Sequence, residues 1–245
     1  MKHRRGRLGS FSEPPPESAG HPTLLQRLGW DALVLMKNHD HRAVFITAAL
    51  FSIPLAAFYP FSPLHLQQLG FQHTSAWMTL AQTTELIAMF SLAGLFLKWR
   101  LKWIFAAGLG FGLLRFALCA VNGKGWLLAG TSLHGLSFTL YFVTAQIYIN
   151  ERVGPEWRAR AQAMMALMTN GVGNLIGYLG TGWWFNACTQ SNGTRWLWFW
   201  GGLAVVIVLV QIYFLTAYHG KYSGTTRPRG SRPAFKATLP LGETP

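Results

Sequence analysis

Glu85 lies in the middle of an apolar stretch that runs from Ala76 to Leu97, where a carboxylate has no ordinary structural role. Burying a charge in a bilayer is costly unless it is paired, protonated or hydrated, so an intramembrane acid is by default a functional-site candidate. Gln82 lies one helical turn earlier and projects from the same helix face. An amide beside a carboxylate can grip hydroxyl groups, and we predict that both side chains bind a solute.

Arg115 is the second charge within an apolar stretch, roughly 20 Å from the start of that stretch at the usual helical rise. Its side chain is long enough to reach Glu85. Two interpretations are open: a fixed Glu85–Arg115 ion pair that locks two helices, or a Glu85 that works in binding or proton coupling. Arginine keeps its proton at physiological pH, so Arg115 can tune its surroundings but cannot shuttle protons.

A polar and aromatic stripe runs along another apolar stretch, where its members recur at helical spacing: His134, Phe138, Tyr141 and Ala145. A lipid-facing helix would carry aliphatic side chains there, whereas a stripe of this kind suits a planar ligand. We predict that His134 and Phe138 contact the substrate. An interhelical hydrogen bond is the alternative role for His134.

Tyr59 lies among three prolines in the first apolar stretch: Pro54, Pro60 and Pro63. Proline frees backbone carbonyls and bends helices, which membrane proteins tolerate mainly beside protein or a water-filled cavity. The pattern predicts that this helix lines a cavity and that Tyr59 contributes to substrate binding.

Small residues mark one face of a later stretch: Asn170, Gly173, Gly177 and Gly180. Such spacing lets two helices approach closely. We predict helix packing for these four positions.

Ser132 and His134 suggest one remote alternative, an intramembrane hydrolase. Residues two apart point to different sides of a helix, and the chain lacks the Gly-x-Ser-x-Gly turn of serine hydrolases. We therefore predict a protein that is not an enzyme.

The composition determines the class of protein. Of 245 residues, 51% are hydrophobic and only 12% are charged, which is too apolar for one soluble domain. Six apolar stretches each approach the roughly 20 residues that cross a bilayer. They lie at about 43–66, 75–97, 103–121, 126–149, 162–187 and 196–218. The sequence predicts an all-α polytopic membrane protein with six transmembrane helices.

The net charge of +13 raises the question of nucleic-acid binding, which the positions of the bases answer. Of the 21 bases, 18 lie on one side of a six-span topology: before residue 43, at 98–102, at 152–160 and after residue 219. Only Lys124 and Arg195 fall in the opposite loops. The positive-inside rule then predicts a protein of the cell membrane with both termini in the cytoplasm. No basic patch interleaved with stacking aromatics indicates a nucleic-acid partner.

Three regions follow from this topology. Residues 1–42 are expected to form a cytoplasmic basic linker with a triple proline, 43–219 the six-span bundle, and 220–245 a disordered basic tail. A short amphipathic helix in the linker is indicated by four residues at helical spacing: Leu24, Leu28, Ala32 and Leu35. No Cys/His metal spacing occurs, and we predict neither a metal site nor a cofactor.

The chain resembles the nucleoside:proton symporters of the major facilitator superfamily. The resemblance extends over about residues 24–219, and FTLYFVTAQIYIN followed by ERVGPEWRARAQAMMALMTNGVGNLIG is similar to helices ten and eleven. The MTNGVG stretch and the Gln/Glu pair are fairly specific to that family. AQTTELIAMF resembles helix eight with its Gln/Glu pair, and LLRFALCA resembles the arginine-bearing helix nine. The resemblance implies proton-coupled uptake of nucleosides or related small polar solutes by alternating access. It also implies that Gln82 and Glu85 contact sugar hydroxyls, while His134 and Phe138 occupy substrate positions of helix ten.

The length of the chain departs from this family. Its transporters have twelve spans in two six-helix halves with the substrate between them, and this chain corresponds to the C-terminal half. A truncated or mis-assigned start is one interpretation, in which a missing N-terminal half completes the site. A split transporter, a homodimer in which a second copy serves as the other half, and a non-transporting six-span subunit are the alternatives.

Overall fold

The computed structural model describes residues 30–220, which are predominantly helical. A 3₁₀ helix, Trp30–Lys37, comes first. The α-helices that follow are α1 His39–Leu55, α2 Phe58–Gln68, α3 Thr74–Lys98, α4 Leu101–Ala120, α5 Lys124–Phe138, α6 Thr144–Arg152, α7 Pro155–Ala166, α8 Asn174–Cys188 and α9 Trp196–Ala217. A first π-helical segment, Thr139–Val143, joins α5 to α6, and a second, Leu167–Gly173, joins α7 to α8. Two short strands, β1 Thr189–Gln190 and β2 Gly193–Thr194, pair antiparallel before α9.

These elements form six helical rods in the part of the chain that the structure describes. Five rods are long and apolar enough to cross a bilayer: His39–Gln68, Thr74–Lys98, Leu101–Ala120, Lys124–Arg152 and Trp196–Ala217. The other, from Pro155 to Cys188, is helical but does not reach that hydropathy, because its sequence is rich in Gly, Asn and Thr. The prediction of an all-α membrane protein is confirmed, with five apolar rods rather than six.

The first rod is broken between α1 and α2 at Ala56 and Ala57. Pro54 lies inside the last turn of α1, and Pro63 lies inside α2. Proline has no backbone N–H to continue the ladder of i to i−4 hydrogen bonds. The N–H of Ala57 donates instead to the carbonyl oxygen of Pro54 at 3.3 Å, which tightens the chain locally.

The rods pack around α4, which contacts α5 on one side and α9 on the other. α1 packs against α9, against α8 and against the second π segment. α3 packs chiefly against α5, so most of its surface is exposed, including Leu86, Ile87 and Phe90. α3 therefore forms an edge of the bundle.

A buried histidine connects α2 to α9 and to the turn between α4 and α5. His65 is fully buried; its Nδ1 accepts a hydrogen bond from Trp200 Nε1 at 3.0 Å, and its Nε2 lies 2.8 Å from Asn122 Oδ1. Since Nδ1 accepts, Nε2 carries the proton and donates to Asn122. Trp196 stacks on the same ring at 4.0 Å between centroids.

The segment before α1 differs from its prediction. Ala32 and Leu35 lie in a 3₁₀ helix rather than an amphipathic α-helix, and Ala32 is fully buried. Leu24 and Leu28 lie outside the described residues, as do the triple proline and the predicted tail beyond Gly220. The start of α1 and the end of α9 meet, because the N–H of His219 donates to Asp40 Oδ1 at 2.9 Å.

Candidate functional site

A polar cavity of about 270 Å³ opens on one face of the bundle. Its lining combines aromatic rings with amide and hydroxyl groups. The lining residues are Ser52, Leu55, Ala56, Tyr59, His134, Phe138, Phe142, Gln146, Thr169, Asn170, Asn174 and Tyr178. Of the residues predicted to bind substrate, the structure brings Tyr59, His134 and Phe138 together here.

Three interruptions of regular helix meet at this polar cavity. Ala56 lies in the break between α1 and α2, Phe142 lies in the first π segment, and Thr169 and Asn170 lie in the second. π-Helical turns occur frequently at functional sites. Irregular backbone at membrane depth is tolerated where protein buries it or a cavity hydrates it. The irregular backbone therefore indicates a functional site at the polar cavity.

Aromatic rings form one wall of the polar cavity. His134 stacks almost parallel on Phe58, with 3.9 Å between ring centroids. Tyr59 approaches His134 edge-on with 5.8 Å between ring centroids, and the ring centroid of Phe138 lies 6.1 Å from that of His134. Such a wall offers π faces against which a flat ring can stack.

Arg115 engages His134 directly, through a hydrogen bond between Nη1 of Arg115 and Nδ1 of His134. Guanidinium nitrogens only donate hydrogen bonds, so Nδ1 accepts and the proton of the neutral imidazole is on Nε2. His134 therefore makes the interhelical hydrogen bond that was its alternative role, and it also lines the cavity. The two roles are compatible because they use different nitrogens.

The rest of the Arg115 side chain is enclosed by hydrocarbon. The residue is fully buried, and its guanidinium carbon lies 4.8 Å from the ring centre of Phe58 and 4.2 Å from that of Phe116. Cation–π attraction offsets part of the cost of burying this charge. Nε and Nη2 have no hydrogen-bond partner among the described residues.

Glu85 is held against α5 through its backbone. The carbonyl oxygen of Glu85 accepts from Thr139 Oγ1 at 3.5 Å, and Thr84 Oγ1 donates to the carbonyl oxygen of Ser132 at 2.5 Å. A Cβ atom added at Gly135 would collide with the backbone nitrogen of Glu85 and the carbonyl oxygen of Ala81. The absence of a side chain at Gly135 therefore lets the backbones of α3 and α5 approach closely.

The carboxylate of Glu85 does not pair with Arg115, which corrects the fixed ion pair considered above. Arg115 is turned toward His134 and two phenylalanine rings, and Glu85 is only partly buried. Within residues 30–220, no hydrogen bond or ion pair of this carboxylate is found. Gln82 is exposed on α3 and does not line the polar cavity.

Some lining residues were missed by the sequence analysis. Asn174 and Tyr178 line the polar cavity together with Asn170. The three residues recur at i, i+4 and i+8, so one helix face carries two amides and a phenol. This spacing predicts a polar helix face, although the glycines in the same stretch favour a prediction of helix packing.

The predicted packing face is shorter than the sequence indicates. A Cβ added at Gly173 would lie 2.8 Å from Ser52 Cβ, and one at Gly177 would lie 2.6 Å from Ala56 Cβ, so both glycines adjoin the first rod. Gly180 has open space around it, and Asn170 is exposed at the polar cavity. The structure thus places Gly173 and Gly177, but not Gly180, at a close helix contact, while Asn170 lines the polar cavity.

Comparison with known proteins assigns the family. A family model described as nucleoside H⁺ symporter matches residues 10–223. The chain belongs to the nucleoside H⁺ symporter family. It is 30% identical over 224 residues to the putative nucleoside transporter YegT of Escherichia coli K12, and 26% identical over 220 residues to the nucleoside permease NupG of the same strain.

Solved structures show the same fold. Two crystal structures of the nucleoside transporter NupG, the first of them of a mutant, superpose on this chain with TM-scores of 0.73 and 0.68, both at 24% identity. The match covers 84% of this chain and 55% of the NupG mutant chain. This symporter-family chain therefore has the fold of one half of a major facilitator transporter and is a multi-pass membrane protein.

The chain spans about half the length of the curated relatives it matches. It aligns with 53% of YegT and 52% of NupG, while 85% and 84% of its own length is covered.

The serine-hydrolase geometry is not formed. Ser132 Oγ donates to the carbonyl oxygen of Leu128 at 2.9 Å, within its own helix. His134 is engaged by Arg115 and stacked on Phe58. A nucleophile needs a base within hydrogen-bond reach, and these two side chains are used elsewhere.

Proposed function

We propose that this chain forms the solute-binding half of a proton-coupled nucleoside transporter that works by alternating access. The observation that carries the proposal is the polar cavity at which the α1–α2 break and both π segments meet. Membership of the nucleoside H⁺ symporter family supports it. Such transporters bind solute between two halves that rock against each other.

The two sides of the polar cavity match the two parts of a nucleoside. Phe138, Tyr59 and the ring of His134 offer aromatic faces for the base. Asn170 and Asn174 offer amide donors and acceptors for the sugar hydroxyls. The protonated Nε2 of His134 is a donor for a base nitrogen or carbonyl. Tyr59, His134 and Phe138 thus serve as substrate contacts in this proposal.

Glu85 is the proposed proton carrier. It is the only Asp or Glu between residues 41 and 150. Its carboxylate has no partner within residues 30–220, and protonation is the simplest way to remove the cost of its charge in a membrane. Arg115 supports this role by holding His134 in one tautomer instead of neutralising Glu85.

The face around the polar cavity is the proposed contact with the other half. Tyr59 and Asn170 line the cavity and are exposed, and Gln82 is exposed on α3. An N-terminal six-helix half would bury this face and bring Gln82 toward the solute. A second copy of the chain is the alternative occupant, and a non-transporting subunit would need no closed cavity.

The start of α1 and the end of α9 lie on the same side of the bundle, and we assign that side to the cytoplasm. The contact between Asp40 and His219 brings the start of α1 and the end of α9 together. The positive-inside rule favours the cytoplasm for the flanking bases. An enzymatic reporter fused after residue 245 tests this: activity of a cytoplasmic reporter is expected, and activity of a reporter that works only outside the membrane would reverse the topology.

Uptake of labelled nucleoside tests the function. The chain is expressed in cells without other nucleoside transporters, both alone and together with a six-helix N-terminal half. Unmodified protein should accumulate nucleoside against its gradient and lose accumulation when a protonophore is added. Glu85→Gln should retain binding but lose accumulation, because the amide can hydrogen-bond but cannot titrate.

Glu151→Gln is the matched control. Glu151 is exposed near the end of α6, so its amide variant should accumulate nucleoside normally. Normal accumulation by Glu85→Gln would reject the coupling role. Failure of the unmodified protein to take up nucleosides would reject the substrate.

The mass of the purified chain in detergent tests the partner. A monomer whose nucleoside binding appears only after a six-helix N-terminal half is supplied would support a missing half. A stable dimer that binds nucleoside alone would identify a second copy as the partner and contradict the missing half. A chain that binds no nucleoside in either arrangement would favour the non-transporting subunit.

A further inference from the structure

Three metal-ligating side chains meet at the end of the bundle where α1 begins and α9 ends. They are His39 and Asp40 at the start of α1, and His219 just after α9. One potential ligand atom from each lies within 4.8 Å of the others. We call these residues the end cluster, which lies outside the polar cavity.

The first turn of α1 positions two members of the end cluster. Asn38 caps this helix: its Oδ1 accepts from the N–H groups of Asp40 at 2.9 Å and His41 at 3.2 Å. A side-chain cap of this kind fixes the start of a helix. His39 and Asp40 therefore project from a defined backbone rather than from a loose end.

His219 is oriented by a hydrogen bond to the backbone. Its Nδ1 lies 3.1 Å from the carbonyl oxygen of Ala217, and a carbonyl can only accept. Nδ1 therefore carries the proton, and the lone pair of the neutral ring is on Nε2. Metal-ligating histidines are commonly oriented in this way, with one nitrogen donating to a carbonyl and the other bound to the ion.

Asp40 joins the two ends of the cluster. Its Oδ1 accepts from the backbone N–H of His219 at 2.9 Å, which holds the last residue of the cluster beside the first turn of α1. A carboxylate has two oxygens, so Oδ2 is available as a ligand atom. His39 and His219 are already in edge-to-face contact, with 5.0 Å between ring centroids.

We propose that His39, Asp40 and His219 bind a divalent transition-metal ion of the zinc type. Two imidazoles and one carboxylate form a ligand set that Zn²⁺ uses, with bonds of about 2.0–2.1 Å to nitrogen and a fourth position open to water. Tetrahedral bonds of that length place ligand atoms roughly 3.3 Å apart. Both histidine rings are exposed, so a rotation of their side chains closes the cluster from its present spacing.

The ion would connect the first and last rods of the bundle. Asp40 and His219 are 179 residues apart in sequence, and α1 packs along α9. A ligand that binds the folded chain but not the unfolded one stabilises the fold. A metal ion in the end cluster would therefore hold the start of α1 against the end of α9, independently of nucleoside binding.

Zinc titration of the purified full chain in detergent, after removal of bound metals, tests the proposal. One Zn²⁺ per chain should bind and raise the unfolding temperature. Mg²⁺ and Ca²⁺ should do neither, because these hard cations require oxygen ligands. Co²⁺ in place of zinc should give a visible absorption spectrum that is characteristic of a Co²⁺ ion with low coordination number. This spectrum reports ligation directly.

Single substitutions locate the ion. His39→Ala and His219→Ala should each weaken zinc affinity at least tenfold and change the Co²⁺ spectrum, with Asp40→Asn giving a smaller loss. The matched control is His73→Asn, since His73 is exposed between α2 and α3 and has a φ of 52°, which asparagine tolerates. This variant should bind zinc like the unmodified chain.

Three results would overturn the proposal. They are absence of zinc binding by the unmodified chain, unchanged binding and Co²⁺ spectra in both His39→Ala and His219→Ala, and an equal loss in His73→Asn. Circular dichroism and elution volume of each variant identify any that fails to fold. His39→Gln then replaces a misfolded His39→Ala, because glutamine keeps a polar side chain at the exposed helix start.

Discussion

The two histidines buried inside this bundle, His65 and His134, have opposite surroundings. At His65 both ring nitrogens have neutral partners, Trp200 and Asn122, and Trp196 covers the ring. At His134 one nitrogen accepts from Arg115, while the ring itself lines the polar cavity. Both ring nitrogens of His65 are hydrogen-bonded within the protein, whereas the Nε2–H of His134 remains available as a donor.

The partners of each histidine extend this difference. Asn122 and Trp200 use their polar side-chain groups on His65. Arg115 brings a buried charge to His134 and leaves Nε and Nη2 without partners among the described residues. Unsatisfied buried polar groups are costly, and proteins keep them mainly where function uses them. The comparison favours a structural role for the His65 region and supports the proposed role of His134 in substrate binding.

His65→Ala should have the largest effect on stability. The substitution leaves the Trp200 indole N–H and the Asn122 amide without partners and opens a void in the core. We expect the unfolding free energy in detergent to fall by about 2–4 kcal/mol. Nucleoside affinity of the folded fraction should not change. An unfolding free energy equal to that of the unmodified chain would refute the structural role of His65.

Gly135→Ala should have the next largest effect. The added methyl group meets the backbone of α3 at Ala81 and Glu85, which cannot move aside without shifting the helix. We expect a loss of about 1–3 kcal/mol in unfolding free energy. Gly110→Ala is the control, since open space surrounds Gly110, and it should be neutral or stabilising by about 0.5–1 kcal/mol. Equal behaviour of the two variants would show that α3 does not need this close contact.

His134→Gln tests the functional member of the comparison. Glutamine can still accept from Arg115, but it removes the ring that stacks on Phe58. We expect nucleoside affinity to fall about tenfold, or about 1.4 kcal/mol, with a smaller loss of stability than in His65→Ala. Equilibrium binding of labelled nucleoside measures the first quantity and chemical unfolding the second. If stability falls and affinity does not, His134 belongs with His65 as a structural residue.

Phe138→Ala should have the smallest effect of the four. Loss of one stacking face should weaken nucleoside binding by about 0.5–1.5 kcal/mol. Phe90→Ala is the matched control, because Phe90 is 80% exposed on α3 and lies outside the polar cavity. Competition binding with unlabelled nucleoside measures both variants. Equal affinities would remove Phe138 from the substrate contacts.

The helices could be predicted more completely than the polar cavity. Runs of apolar residues that match the bilayer thickness predict a span directly, and the proline pattern around Tyr59 correctly indicated a helix that lines a cavity. The two π segments have no such periodic pattern. The sequence around Thr139 or Met168 looks helical, and only tertiary packing, against α4 and α3 for the first segment and against α1 for the second, shows where an extra residue is accommodated.

The amino-acid sequence by itself determined the membrane class, most of the helix bounds and the isolation of Glu85 as an acid among apolar residues, because hydropathy and charge are local properties. Tertiary structure alone decided that Arg115 pairs with His134 instead of Glu85, that His65 is fully satisfied, and that His39 and Asp40 meet His219. Those outcomes depend on which helix faces approach each other. Contacts between residues far apart in the chain are set by packing of the whole bundle.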